Sequence, residues 1–129
     1  MTSLRRPAIQ NDYPSQHDLR WSRSEKAIAR KAFDTALTRE LQEVIQQTKQ
    51  MAGKIQQPSD LWDLEDYLTQ RRKEINRKYE YRSSQLTLVF GTLLHEGRVG
   101  EGQLRGLRED KLKSIRSHAK FLAEEMDAA

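Results

Sequence analysis

Four carboxylates, Asp60, Asp63, Glu65 and Asp66, fall within two turns of a segment with helical spacing. Such a grouping could draw a cation, but acidic residues are favoured in the first turns of any helix by its dipole alone. The three histidines, His17, His95 and His118, lie in separate segments without metal-ligand spacing, and no carboxylate–histidine pair of the di-iron type occurs. GRVGEG at residues 97–102 resembles a phosphate loop in glycine content only: it follows a helix and lacks the lysine that would reach a phosphate. No serine stands beside a candidate base, and the absence of cysteine removes thiolate ligands and nucleophiles. The residue types therefore point away from covalent catalysis, with neither metal nor cofactor expected.

The chemistry that remains is recognition. Leu61, Leu64, Leu68 and Ile75 form one stripe of the helix that begins near Asp60. With Leu61 at 0° and about 100° per residue, the stripe centres near ~320° and Trp62 falls near ~100°, beside Asp66, Thr69 and Lys73. Arg72 lies near ~20°, on the shoulder of the stripe and two turns beyond Glu65. Either Trp62 is covered by the first helix or by a second copy, or Trp62, Asp66 and an adjacent arginine form a protein-binding surface. Tryptophan and arginine are the types enriched at interface hot spots.

Long helices must position this face. Ser22 and Glu25 form a capping box that starts a helix, whose apolar positions from Ile28 to Ile55 alternate threes and fours. Pro58 breaks it and Ser59 offers the next cap. A second segment is expected from Asp60 to about Glu96. Its length of ~50 Å is too great for a compact chain, and a kink is expected at residues 79–84. Gly97 ends that segment, a short turn at Gln103–Leu107 follows, and a last helix runs from about Glu109 to Glu124. The stripe Leu37, Leu41, Val44, Met51 and Ile55 reads as a heptad seam, so a homodimer is expected with these residues at its interface. The fold class is all-α: long antiparallel helices forming a dimeric stalk (residues 21–85) and a small helical head (86–124), with residues 1–20 as an N-terminal arm. A monomeric four-helix bundle is the alternative.

Composition agrees with extended helices: 36% apolar and 33% charged residues, with three prolines and six glycines in 129 residues. No apolar run approaches the ~20 residues of a membrane span, and the N-terminus lacks a signal-peptide core, so a cytoplasmic protein is expected. The net charge of +4 is spread thinly, apart from Arg71, Arg72, Lys73, Arg77, Lys78 and Arg82. A solvated helix face explains that cluster more simply than a phosphate-binding patch. A helical nucleic-acid-binding protein and a dimeric structural adaptor stand as alternatives.

The run DLWDLEDYLTQRRKEINRKYEYRSSQLTLVFGTLLHEG, then LRGLREDKLKSI, resembles the fluorescence recovery protein family, as does WSRSEKAIARKAFDTALTRE at the start of the first helix. The likeness covers about residues 21–118. Its most specific elements are W-x-L-x-D, the arginine pair, KY-x-YR and GL-x-x-DKL-x-x-I. The resemblance implies an α-helical dimer without enzymatic groups. Such a protein binds the photoactivated orange carotenoid protein, mainly through that protein's C-terminal domain. It speeds return to the resting form and release from the phycobilisome. Trp62, Asp66 and Arg72 occupy the matching places, and Glu65 stands where cyanobacterial members commonly carry histidine. Relatives occur in bacteria lacking phycobilisomes.

Overall fold

A computed structural model describes residues 20–128. The N-terminal arm expected at residues 1–20 lies, but for Arg20, outside the described residues. Four helices follow in order: α1 Arg23–Gly53, α2 Pro58–Lys78, α3 Leu86–His95 and α4 Glu109–Ala128, with a 3-10 turn at Glu101–Leu104 before α4. The described part of the chain is all-α.

α1 starts where its capping box places it. The Glu25 amide donates to Ser22 Oγ at 3.2 Å, and the Ser22 amide donates to Glu25 Oε1 at 3.0 Å. Glu25 does more than cap. It is buried, accepts the Arg108 amide at 2.9 Å, and pairs with the buried Lys111 ammonium at 3.1 Å. Burial alone would raise the Glu25 pKa; the Ser22 and Arg108 amides and Lys111 outweigh it and hold the carboxyl at about 2.

α1 ends at Gly53, slightly before the expected Ile55. α2 begins at Pro58 rather than after a Ser59 cap. Proline is well suited to the first helical position because its missing N–H would have no partner there. Asp60 completes the start, its Oδ2 accepting the Gln56 and Gln57 amides at 3.0 and 3.3 Å. The short turn makes α1 and α2 an antiparallel hairpin, with Glu40 and Arg71 meeting across it equally far from the turn.

The continuous segment expected from Asp60 to Glu96 is instead two helices. Residues 79–85 leave helical geometry because Tyr79 and Tyr81 both pack edge-on against Phe33, at ring separations of 5.4 and 4.9 Å. Two residues apart, they would point to different sides of a helix, whereas extended backbone turns them to the same side. The Arg30 guanidinium stacks over the Tyr81 ring at 3.6 Å. α3 ends at His95 and is closed as expected by Gly97, whose φ of 76° suits glycine. The Gly97 amide donates to the Leu94 carbonyl and the Arg98 amide to the Leu93 carbonyl, a Schellman closure.

One apolar core joins Trp21, Ala29, Ala32, Phe33 and Ala36 of the N-terminal region to Leu86, Val89, Phe90 and Leu93 of α3, with Val99, Leu104, Leu107 and Ile115 beyond. The head expected from residue 86 onward therefore includes the first half of α1, and Leu37, expected in the stalk seam, packs partly against this core. The second half of α1 and all of α2 project from it, and α2 contains no buried residue.

α3 and α4 pack tightly at Gly91, where an added Cβ would lie 2.7 Å from His118 Cβ. Neither group is a flexible tip. Gly91→Ala should therefore lower stability by about 1–3 kcal/mol through overpacking, measured by urea unfolding. An unchanged midpoint would mean that the two helices separate without strain.

Candidate functional site

α2 packs one side against α1 and carries the expected recognition residues at exposed positions. Trp62 is 58% exposed, so α1 does not cover it. Asp66, Arg72 and Glu65 are exposed and make no ion pair or hydrogen bond among the described residues. The structure thus places Trp62, Asp66, Arg72 and Glu65 along the same two to three turns of α2, with no ion pair or hydrogen bond to another described residue. Their freedom contrasts with charged residues a turn or two further on.

There, Glu40 of α1 is fully buried and gathers donors from three parts of the chain. Arg71 Nη2 donates to it at 2.8 Å, the Lys78 ammonium at 2.9 Å and the Tyr79 hydroxyl at 2.8 Å. Arg98, just past α3, brings Nε within 3.2 Å. These cations are shared with further carboxylates: Arg71 with Glu74 at 2.6 Å, Lys78 with Glu96 at 2.7 Å, and Arg98 with Glu43 and Glu96, both at 2.9 Å. Burial alone would raise the Glu40 pKa, but the hydrogen bonds from Lys78, Arg71 and Tyr79 hold it below the ordinary range. Burial and the neighbouring carboxylate push the Tyr79 hydroxyl well up. The network ties the hairpin to the head where α2 leaves it.

This arrangement also divides the basic cluster. Arg71 and Lys78 are held by Glu40, and Arg82 pairs with Glu80 at 2.7 Å, which leaves fewer cations for a phosphate backbone than the sequence offered. Among the described residues, no group of three or more histidine, aspartate or glutamate side chains could hold a metal. No described helix is long and apolar enough to cross a membrane.

Residues 21–119 match the family described as photoprotection regulator fluorescence recovery protein. The chain is 38% identical over 101 residues to the fluorescence recovery protein of Synechocystis sp. (strain ATCC 27184 / PCC 6803 / Kazusa), covering 78% of this chain and 93% of that protein. The chain belongs to the fluorescence recovery protein family. The solved structure of the Fremyella diplosiphon fluorescence recovery protein superposes with a TM-score of 0.75 at 38% identity, over 78% of this chain and 99% of that one. The structure from Synechocystis sp. PCC 6803 gives the same TM-score, identity and coverage. The family match takes in both the exposed α2 face and the Glu40 network.

Sequence reasoning missed Glu40. A signal was present: Glu40 continues the Phe33, Ala36 spacing along the buried stripe of α1, where a carboxylate must find partners. The expected interface residues divide. Leu41 is 42% exposed, while Val44, Met51 and Ile55 are half-buried beside α2. Ile45 at 42%, Leu61 at 46% and Leu68 at 39% add exposed apolar surface that the heptad reading did not single out as a group.

Proposed function

We propose that this chain is a non-enzymatic, homodimeric regulator. It binds the photoactivated orange carotenoid protein at that protein's C-terminal domain and accelerates its return to the resting form, ending photoprotective quenching. Family membership supports the partner, and the observation that carries the reading is Trp62, 58% exposed on α2 beside charges that have no ion-pair partner among the described residues. A large aromatic held on a regular helix, with Asp66 and Arg72 at its rim, has the composition of an interface anchor. Glu65 adds a carboxylate to that rim.

No covalent step is required. A binding protein speeds a conformational relaxation when it holds the partner more tightly on the way to the closed state than in the open one. A second copy of the chain is the natural cover for the stalk. A helix with no buried residue gains little from its own packing, and Leu41, Ile45, Leu61 and Leu68 leave apolar area for a mate. A cytoplasmic setting fits this role.

Co-migration on size exclusion, together with the rate of red-to-orange reversion, tests the proposal. A stable complex is expected, with reversion at least tenfold faster than for the carotenoid protein alone, equivalent to about 1.4 kcal/mol of barrier. No complex and an unchanged rate would overturn it.

A further inference from the structure

A cleft of about 730 Å³ opens where the last turns of α2, residues 79–85 and α3 meet. Arg71, Arg77, Lys78, Arg82 and Arg98 line it. Its carboxylates are already committed: Glu40 to Arg71, Lys78 and Arg98, Glu74 to Arg71, Glu96 to Lys78 and Arg98, and Glu80 to Arg82. Arg77 is exposed and makes no ion pair or hydrogen bond among the described residues. It is the cleft's uncommitted cation.

Arg77 also shares a helix face with Trp62. At about 100° per residue, with Leu61 at 0°, Trp62, Asp66, Lys73 and Arg77 fall near ~100°, ~140°, ~120° and ~160°. One continuous strip therefore runs from the aromatic anchor to the cleft, ~22 Å along the helix at 1.5 Å per residue.

Resting on the carotenoid-protein reading above, we infer that this strip is a two-point docking surface: Trp62 anchors one end, and Arg77 in the cleft receives a single carboxylate side chain of the protein partner. The guanidinium fork matches a carboxylate in a bidentate manner. Half-buried Leu88 and Thr92 on the α3 wall give an adjoining side chain something to pack on. The four carboxylates in the walls disfavour a phosphate backbone, whose successive charges would meet them, whereas a single carboxylate at Arg77 avoids them. Arg77 stands in the last turn of α2, where any cation is favoured; Arg77→Lys keeps that charge and loses the fork.

The test is titration of the photoactivated carotenoid protein with the full chain as wild type, Arg77→Glu, Arg77→Lys and Arg105→Glu, the last making the same charge change at an exposed arginine outside the cleft. Light scattering on each gives the oligomer mass. Arg77→Glu should weaken binding at least tenfold and Arg77→Lys by less, with Arg105→Glu within about twofold of wild type and all masses equal. An unaffected Arg77→Glu, or equal weakening by Arg105→Glu, overturns this inference alone. A changed mass in Arg77→Glu also overturns it, by assigning the cleft to a second copy, whose α4 ends in Glu124, Glu125 and Asp127. A duplex DNA probe bound by wild type and lost in Arg77→Glu overturns it in favour of nucleic acid. Absence of wild-type binding overturns the carotenoid-protein reading together with this one.

Discussion

Glu40→Gln is expected to destabilise the fold by about 3–5 kcal/mol at neutral pH, although it alters the side chain's shape by almost nothing. Glu40 is wholly buried and holds Arg71, Lys78 and Arg98 at 2.8–3.2 Å while accepting the Tyr79 hydroxyl. An amide can accept from one or two of these donors, but it carries no charge to offset the cations and turns an NH₂ group toward them. Glu74, Glu96 and Glu43 still stand beside the three cations, which sets the lower end of the range. Against a total stability of ~5–15 kcal/mol the change is large. Urea unfolding at a fixed protomer concentration is the measurement, because the proposed dimerisation would make the midpoint concentration-dependent. A loss below about 1 kcal/mol would mean that the network contributes geometry without net stability.

The same variant has a defined pH behaviour. The carboxyl pKa of Glu40 is lower in the folded state than its ordinary 4.5, so its contribution is complete above that value and is lost as pH falls below it. The difference between wild type and Glu40→Gln should therefore be constant near neutrality and shrink as the solution is acidified through 4.5. Glu25 contributes its own acid-side loss between 4.5 and about 2 in both proteins, so the comparison isolates Glu40.

Local rules made much of this fold legible. The Ser22–Glu25 box, the Ala29, Ala32, Phe33, Ala36 stripe and the Gly97 closure each depend on residues a few positions apart, and each stands where its spacing puts it. The break at residues 79–85 was readable as a kink but not as a separation into two helices, because its cause is Phe33, far away in sequence. Glu25 was visible as a capping residue, whereas its ion pair with Lys111 spans 86 positions. Glu40 was not singled out for the same reason: its partners come from α2, residue 79 and Arg98 just past α3. The exposure of Trp62 was open to expectation because it needs only the angular period of one helix. The cleft at Arg77 was not, since its walls come from α2, residues 79–85, α3 and Arg98, which no local pattern relates.

Trp62→Ala is expected to weaken binding of the photoactivated carotenoid protein by at least ~30-fold, about 2 kcal/mol or more, the usual loss for a truncated aromatic hot spot. Acceleration of reversion should fall with it. Folding stability should move by no more than ~0.5 kcal/mol, because Trp62 is 58% exposed and makes no hydrogen bond or ring contact among the described residues. These two expectations pull apart the two roles an exposed tryptophan on α2 can have. If it anchors the partner, binding collapses while the oligomer mass by light scattering and the urea midpoint stay at wild-type values. If it lies in the seam between copies, along with Leu61 and Leu68, the mass falls toward a monomer at low concentration and the midpoint falls with it. Trp62→Phe sharpens the distinction. It keeps an aromatic face of smaller area without the indole N–H, so partner affinity should recover in part if packing dominates. Affinity as low as that of Trp62→Ala would assign the contact to the indole N–H instead.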